Sequence, residues 1–278
     1  MTYRLTLLAT ATFAAVMALP AAAQTVGVNA VVVNDVRMRT EANPAVHRAA
    51  VKERVALGND IATGPSSRLQ VLLLDRTNFT VGANARLKVD RFVYDPNRSA
   101  SAVGLSVTKG AFRFMSGKPL HANPGQSQIN TPVASIGIRG TIVELAVGAD
   151  ALAVIGRQPG VPAAGADPDK ATLIFLRGPG TGAQGGEQQG AIDVTAGGAT
   201  SSISGSGQAF FVPGPGQAPV GPFLLSAEAS DALANLLGRN ARSSNRFESP
   251  LVENPLVDQF FEAGDEFRGQ QPPIAGIP

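Results

Sequence analysis

The strongest constraint on this chain is a two-residue rhythm of apolar side chains between residue 24 and about residue 150. In the run from Arg68 to Leu74, Leu69, Val71 and Leu73 share one face. Phe79 and Val81 follow a turn at Asp75-Arg76-Thr77, and Leu87, Val89 and Val93 alternate with Lys88 and Asp90. Successive side chains of a strand point to opposite faces, so this spacing marks half-buried strands. Asp95-Pro96-Asn97 stops that run, because proline has no N–H to give to a ladder. Leu105 to Thr108 and Ala111 to Met115, on either side of Lys109-Gly110, read as a hairpin. No helical period intervenes, so the expectation is an all-β domain of short antiparallel strands. Pro44 to Glu53 fits a short helix or an irregular loop equally well.

From about residue 157 to 222, glycine, proline, glutamine and alanine dominate. Short strands are expected at Ala171–Leu176, Gly190–Thr195, Ser201–Ser204 and Gln208–Val212, completing the β domain. The runs 156–168, 177–190 and 213–222 read as loops. Ser226 to Leu237 is the best helix candidate, with Ser226 as N-cap, a Leu233–Leu236–Leu237 stripe and Gly238 as the stop. The tail from 241 to 278 carries five prolines from Pro250 to Pro278 and is expected to be extended or disordered. The parts are therefore 1–23, 24–150, 151–222, 223–240 and 241–278. No fixed-period repeat is present.

Residues 1–23 have the form of a secretory signal: Arg4, an apolar run from Leu5 to Leu19, Pro20, and a small-residue cleavage pattern at Ala21–Ala23. A spanning helix needs about 20 apolar residues, and the later apolar run Leu145 to Ile155 is shorter and contains Asp150. The expected product is periplasmic or secreted, starts near Gln24 and has no transmembrane segment. The chain has no cysteine and only two histidines, His47 and His121. That excludes a thiolate nucleophile, a cysteine zinc site and an iron–sulfur cluster. The formal charge of +2, with no concentrated basic stripe, gives no ground for a nucleic-acid partner.

Catalytic patterns fail one by one. Gly180-x-Gly182-x-x-Gly185 matches a dinucleotide fingerprint, but the residues after it make a poor helix to receive the pyrophosphate. Neither histidine lies in a nucleophile-elbow context. Asp167-Pro168-Asp169 lacks the alternating oxygen ligands of a calcium loop. Asp60 and Asp75 read as turn formers rather than as an acid/base pair. The expectation is a non-enzyme with no cofactor and no metal.

The most informative stretch is Thr131 to Val147, TPVASIGIRGTIVELAV. Ala134, Ile136 and Ile138 share one face, whereas Val143, Leu145 and Val147 fall in the opposite phase. A β-bulge at Gly140 would restore a single buried face. Arg139 then sits at the bend, either as an internal brace or as a contact for a partner.

Thr131-Pro132-x-Ala134 followed by Arg139-Gly140-Thr141 resembles the signature of FecR domains. Leu57-Gly58-Asn59-Asp60-Ile61-x-Thr63-Gly64 resembles another element of that family, and Ser67 to Asp75 a third. Lys109-Gly110-x-Phe112 resembles the strand before the signature, and Gly190–Val194 with Gly207-Gln208-Ala209 the closing strands. The likeness covers about residues 26–150 well and 171–212 loosely. It implies a solenoid-like or sandwich-like stack, with Thr131, Pro132, Arg139, Gly140, Thr141, Gly58, Asp60 and Gly64 as signature positions of structural weight.

The family's founding members are inner-membrane regulators that sense a ferric-siderophore receptor and control an extracytoplasmic sigma factor through a cytoplasmic segment. Here the residues before the β domain read as a signal, so a separate partner is expected to supply that half. Fold alone does not transfer function. The expected function is therefore an exported envelope module that binds a protein or glycan or serves as a scaffold. The alternative is a sensory component of a cell-surface signalling system. Oligomeric state is left open by the sequence.

Overall fold

The computed structural model describes residues 24–40, 44–97, 100–117, 120, 126–178 and 190–238. Its strands build two stacked leaves, and the chain passes from one to the other as it advances. β1 (Thr25–Val33) lies in the first leaf, and β2 (Val36–Arg39) and β3 (His47–Arg48) in the second. β4 (Arg54–Ala56) returns to pair with β1, and β5 (Asp60–Thr63) pairs with β2. β6 (Arg68–Leu73) and β7 (Asn78–Val81) extend the first leaf, and β8 (Arg86–Asp95) the second. β9 (Ala100–Met115) belongs to both. β10 (Ser127–Asn130) and β11 (Ser135–Arg139) continue the second leaf, and β12 (Ile142–Val147) the first. After helix α1 (Ala149–Ile155), β13 (Thr172–Gly178) follows in the first leaf. β14 (Ala191–Ala196) and β15 (Ala199–Ile203) follow in the second. β16 (Gln208–Val212) and β17 (Val220–Leu224) finish the first leaf, and helix α2 (Ala227–Leu236) lies after them.

The first leaf thus runs β4-β1-β6-β7-β9-β12-β13-β16-β17, and the second β3-β2-β5-β8-β9-β10-β11-β14-β15. The arrangement is sandwich-like in section and solenoid-like in winding, since each leaf grows from the N-terminal to the C-terminal end. Every pair is antiparallel except β9 with β10.

The expected hairpin at Lys109-Gly110 is instead one strand. β9 pairs with β8 up to Lys109 and with β12 from Gly110 onward. Gly110 has φ +97° and lies where an added Cβ would come within 2.3 Å of the Ala85 Cβ. A residue that is left-handed and pressed against a neighbour must be glycine, and here it turns the strand across the corner. The bulge expected at Gly140 is also a corner. β11 ends at Arg139 in the second leaf and β12 begins at Ile142 in the first, with Gly140 at φ +55° between them. The change of apolar phase records a change of leaf. Val93 is likewise outside the core, 50% exposed, because the register shifts between Val89 and Arg91 and turns Phe92 inward instead.

Residues 44–53 form the two-residue β3 and a turn, which settles that segment against a helix. The run 213–222, read as a loop, contains the start of β17. Besides the expected C-terminal helix there is α1, in the stretch singled out as apolar. The boundary drawn after residue 150 therefore falls inside a helix. Gly180–Gly185, His121, the signal segment and the tail lie outside the described residues.

The core between the leaves joins Val71, Leu73, Phe79, Phe114 and Leu145 to Ile61, Leu87, Leu105, Ile129, Ile136 and Ile192. Burying each such side chain is worth about 1.5–3 kcal/mol. A second apolar layer covers the other side of the first leaf over β9, β12, β13, β16 and β17. Leu173, Phe175 and Phe211 pack there against Val154 and Ile155 of α1, Ala229 and Leu233 of α2, and Leu237 at its C-cap. Strands buried on both faces read as continuous apolar runs, as in LAV of β12, TLIFL of β13 and FFV of β16. The second leaf keeps the one-sided alternation of β5, β11 and β14. Among the described residues no helix is long and apolar enough to cross a membrane.

Candidate functional site

Three groups of polar residues stand out. The first is made by the signature positions at the two ends of β11. Thr131 opens the turn between β10 and β11. Its Oγ1 accepts the Ala134 N–H at 3.0 Å, and its backbone N–H donates to the Ala134 carbonyl at 2.8 Å. Pro132 occupies the turn where no ladder donor is needed. Thr172 Oγ1, on the first leaf, lies 3.2 Å from Thr131 Oγ1 and ties the leaves together. Thr141 is buried; its N–H donates to Ser116 Oγ, and its carbonyl accepts the Ser116 N–H. Arg139 reaches across to β14, where Nη2 donates to Asp193 Oδ1 at 2.9 Å. Ser202 of β15 donates to the same carboxylate oxygen. The Arg139 and Asp193 side chains are 42% and 37% exposed, so the pair joins three strands while remaining in reach of solvent.

The upstream signature positions lie elsewhere. The Gly58 N–H donates to the Val89 carbonyl, and the Gly64 N–H to the Asp35 carbonyl. Asp60 Oδ2 accepts from Arg39 Nη2 at 2.7 Å and Nε at 3.0 Å. Asp75 is buried and accepts the N–H and hydroxyl of Thr77 and the hydroxyl of Ser101, so its lone pairs serve a turn. His47 pairs with Glu53. Asp167 accepts the N–H groups of Asp169 and Lys170.

The second group was not read from the sequence. Glu144 of β12 is fully buried between Arg113 of β9 and Arg177 of β13. Arg113 Nε donates to Glu144 Oε1 and Arg177 Nη2 to Oε2, each at 2.7 Å. Arg177 also stacks 4.8 Å above the Phe175 ring and reaches Ser230 of α2 at 3.3 Å. Desolvation pushes the Glu144 pKa up, but the attraction of Arg113 and Arg177 and their hydrogen bonds outweigh it, so the value falls below the ordinary one. Glu144 is therefore a fixed anion in a closed layer, unsuited to proton transfer. A signal for it existed: each of the three is a lone charge inside an apolar run, in AFRFM, IVELAV and LIFLRG. A charge buried that way needs partners. Asp150, in the first turn of α1, has its pKa raised by burial, with Lys109 opposing.

The third group is the outer face of the second leaf, which no helix covers among the described residues. Pairing places Arg39, Asp60, Lys88, Ser106, Asn130, Ser135, Thr195 and Thr200 in one row across eight strands. Arg91, Gly104, Gln128, Gly137, Asp193 and Ser202 form the next row. Gln128 Nε2 bridges Asn130 and Ser135 at 2.9 and 2.7 Å. The Thr195 and Thr200 hydroxyls are 2.9 Å apart. This face is hydrogen-bonded, with the guanidinium groups of Arg39 and Arg91 toward β2 and β8, the Arg139–Asp193 pair on β11 and β14, and neutral hydroxyls and amides among and beyond them. Its chemistry suits recognition of polar groups.

Residues 59–155 match the family model described as FecR protein. The match runs from just before β5 to the end of α1. It takes in the Arg139–Thr141 corner, Arg113 and Glu144, and it leaves out Arg177 and β13 to β17. No curated protein matches the chain. Solved structures that resemble it include two crystal structures of a candidate anti-sigma factor from Parabacteroides distasonis ATCC 8503. They are 13% and 12% identical, with TM-scores of 0.37 and 0.36. In both, the likeness covers 58% of this chain and 57% of the other, so this chain spans little more than half of their length.

Proposed function

We propose that this FecR-domain chain is an exported, non-catalytic sensory component of a cell-surface signalling system, working with a separate membrane partner. The family match over residues 59–155 carries the reading. It favours signalling over a purely structural scaffold. The signal-like residues 1–23 support export to the periplasm or beyond. The open polar face of the second leaf is the recognition surface, and a protein is its partner. Over β9, β12, β13, β16 and β17, both sides of the first leaf are occupied, one by the core and the other by α1 and α2. Among the described residues nothing covers the outer side of the second leaf, and its charged and hydrogen-bonding side chains give specificity more than raw affinity.

The test is crosslinking in cells of the tagged full chain, followed by mass spectrometry of the envelope fraction. Recovery of an outer-membrane receptor or a single-span regulator supports the proposal. Recovery of glycan or envelope structural proteins alone would return the chain to a scaffold role.

A further inference from the structure

The two leaves have four edges, and three of them are guarded. β3 is two residues long and carries Arg48; β4 is three residues long and starts with Arg54. β17 contains Pro222 and pairs with β16 through a register shift. Short strands, charges, proline and irregular pairing are the devices that stop an edge from taking on another strand. β15, with the sequence ATSSI, has none of them. It pairs regularly with β14 and, among the described residues, with nothing else. No charged residue or histidine occurs between Asp193 and Glu228, so no charge repels an incoming strand.

The hydrogen-bonding groups left over at this edge follow from the turn. Gly197 and Gly198 have φ +55° and +76° and connect Ala196 to Ala199. A two-residue connection with both angles positive makes its flanking residues a hydrogen-bonded pair. Bonded and non-bonded pairs then alternate. Val194 with Ser201 and Ile192 with Ile203 are bonded; Thr195 with Thr200 and Asp193 with Ser202 are not. The N–H and C=O groups of Thr200 and Ser202 therefore point away from β14 into the open edge.

Those groups sit symmetrically about Ser201. We propose that β15 pairs with β15 of a second copy of this chain, antiparallel about a two-fold axis at Ser201, so that the second leaf continues across a dimer. Thr200 of each copy then exchanges both backbone hydrogen bonds with Ser202 of the other. Ser201 faces its own counterpart in a non-bonded pair. The hydroxyls of Thr200 and Ser202 also lie opposite each other on the outer face, a favourable cross-strand pair. A two-fold interface requires this self-complementarity, in which residue i meets j and j meets i. The inference does not depend on the signalling role.

Sedimentation of the purified full chain from low- to high-micromolar concentration is expected to show a doubling of mass. Thr200→Lys with Ser202→Lys places two pairs of like charges across the axis and should abolish the doubling. Thr200→Asp with Ser202→Lys makes both pairs attractive and should restore it. Melting curves establish that both variants are folded. A second readout uses the absence of native cysteine. Ser201→Cys should form a disulfide-linked dimer on oxidation, since the Cα atoms of opposed non-bonded residues are ~4.5 Å apart, within disulfide range. Thr200→Cys and Ser202→Cys meet their counterparts only diagonally, at ~7–8 Å, and should not. A chain that stays monomeric, or three cysteine variants that crosslink alike, would overturn the proposal.

Discussion

Replacing Glu144 by glutamine isolates the buried charge cluster. Glu144 is 0% exposed, and the Arg113 and Arg177 side chains are 12% and 21% exposed. The carboxylate accepts one charge-assisted hydrogen bond from each arginine. The amide keeps one acceptor but turns an NH2 donor toward the other guanidinium, and it leaves two buried cations without an anion. Removing one partner of a buried ion pair costs about 3–5 kcal/mol. The Arg113 and Arg177 side chains keep partial exposure, which places the expected loss at the lower end, about 3–4 kcal/mol at neutral pH.

The pH dependence has a definite sign. The folded pKa of Glu144 lies below its ordinary value of 4.5. Between the two values the unfolded chain holds a proton that the folded chain lacks, so stability rises with pH in that window. The contribution is complete above the ordinary value and is lost as pH falls through the folded one. Denaturant unfolding of wild type and Glu144→Gln, at neutral pH and stepwise from about pH 5 to about pH 3, measures both effects. A loss under about 1 kcal/mol, or an unchanged acid slope in the variant, would refute the account. Replacing the whole cluster by Arg113→Met, Glu144→Leu and Arg177→Met should cost less than Glu144→Gln alone, because no unpaired charge remains.

Further expectations concern the corners, the brace and the cap. Gly110→Ala adds a Cβ 2.3 Å from the Ala85 Cβ at a left-handed φ and should cost about 2–4 kcal/mol in denaturant unfolding. Gly140→Val puts a β-branched residue at φ +55° and should cost about 1–2 kcal/mol, lowering Tm by several degrees; equal melting temperatures would defeat the claim. Arg139→Ala breaks a half-exposed pair and should cost under about 1 kcal/mol. A large loss of partner crosslinking in that variant would then mark Arg139 as a contact. Ser226→Ala removes the N-cap bond to the Ala229 N–H and should cost about 1 kcal/mol by thermal unfolding.

Much of the fold was legible because alternation reports burial of one face directly. Leu69, Val71 and Leu73, and then Ala134, Ile136 and Ile138, point where the two-residue period places them. The capped C-terminal helix was equally legible from Ser226 and Gly238. What alternation does not report is which leaf a strand joins. A strand that turns a corner at Gly110, a bulge at Gly140 and a leaf change there leave similar marks in sequence. Long-range pairing decides between them. The second apolar layer was visible as continuous runs such as LIFL, but α1 was hidden in one of them, since short apolar runs fit strand and helix alike. Of the signature positions, Arg139, Gly140 and Thr141 share the corner that ends β11, whereas Thr131 and Pro132 lie at the other end of that strand, in the turn after β10. Gly58, Asp60 and Gly64 serve β5 and its neighbours instead. Glu144 escaped notice because its pairing with Arg113 and Arg177 is set by register across three strands, which no local pattern displays.

The asymmetry of the two leaves bears on where a partner docks. α2 is held to the first leaf by apolar packing and by three polar or steric fits. Ser230 meets Arg177, the Gly238 carbonyl meets Arg68 Nη1 at 2.8 Å, and the Leu236 carbonyl sits where a Cβ on Gly82 would come within 2.5 Å. A helix fitted this closely is part of the domain, and displacing it would expose Phe175, Phe211 and the Glu144 cluster together. An exposed apolar face beside a buried ion cluster is a costly state for a ligand to select, because the ligand can shift the equilibrium only by its difference in affinity for the two forms. The second leaf asks for no such rearrangement. Its polar rows are already ordered by their own cross-strand bonds, so a partner meeting Arg39, Gln128 or Arg139 finds their hydrogen-bonding groups in place. A partner on that face, as proposed, would meet preorganised groups, which lowers the ordering cost of association, and would leave the β15 edge to the proposed second copy.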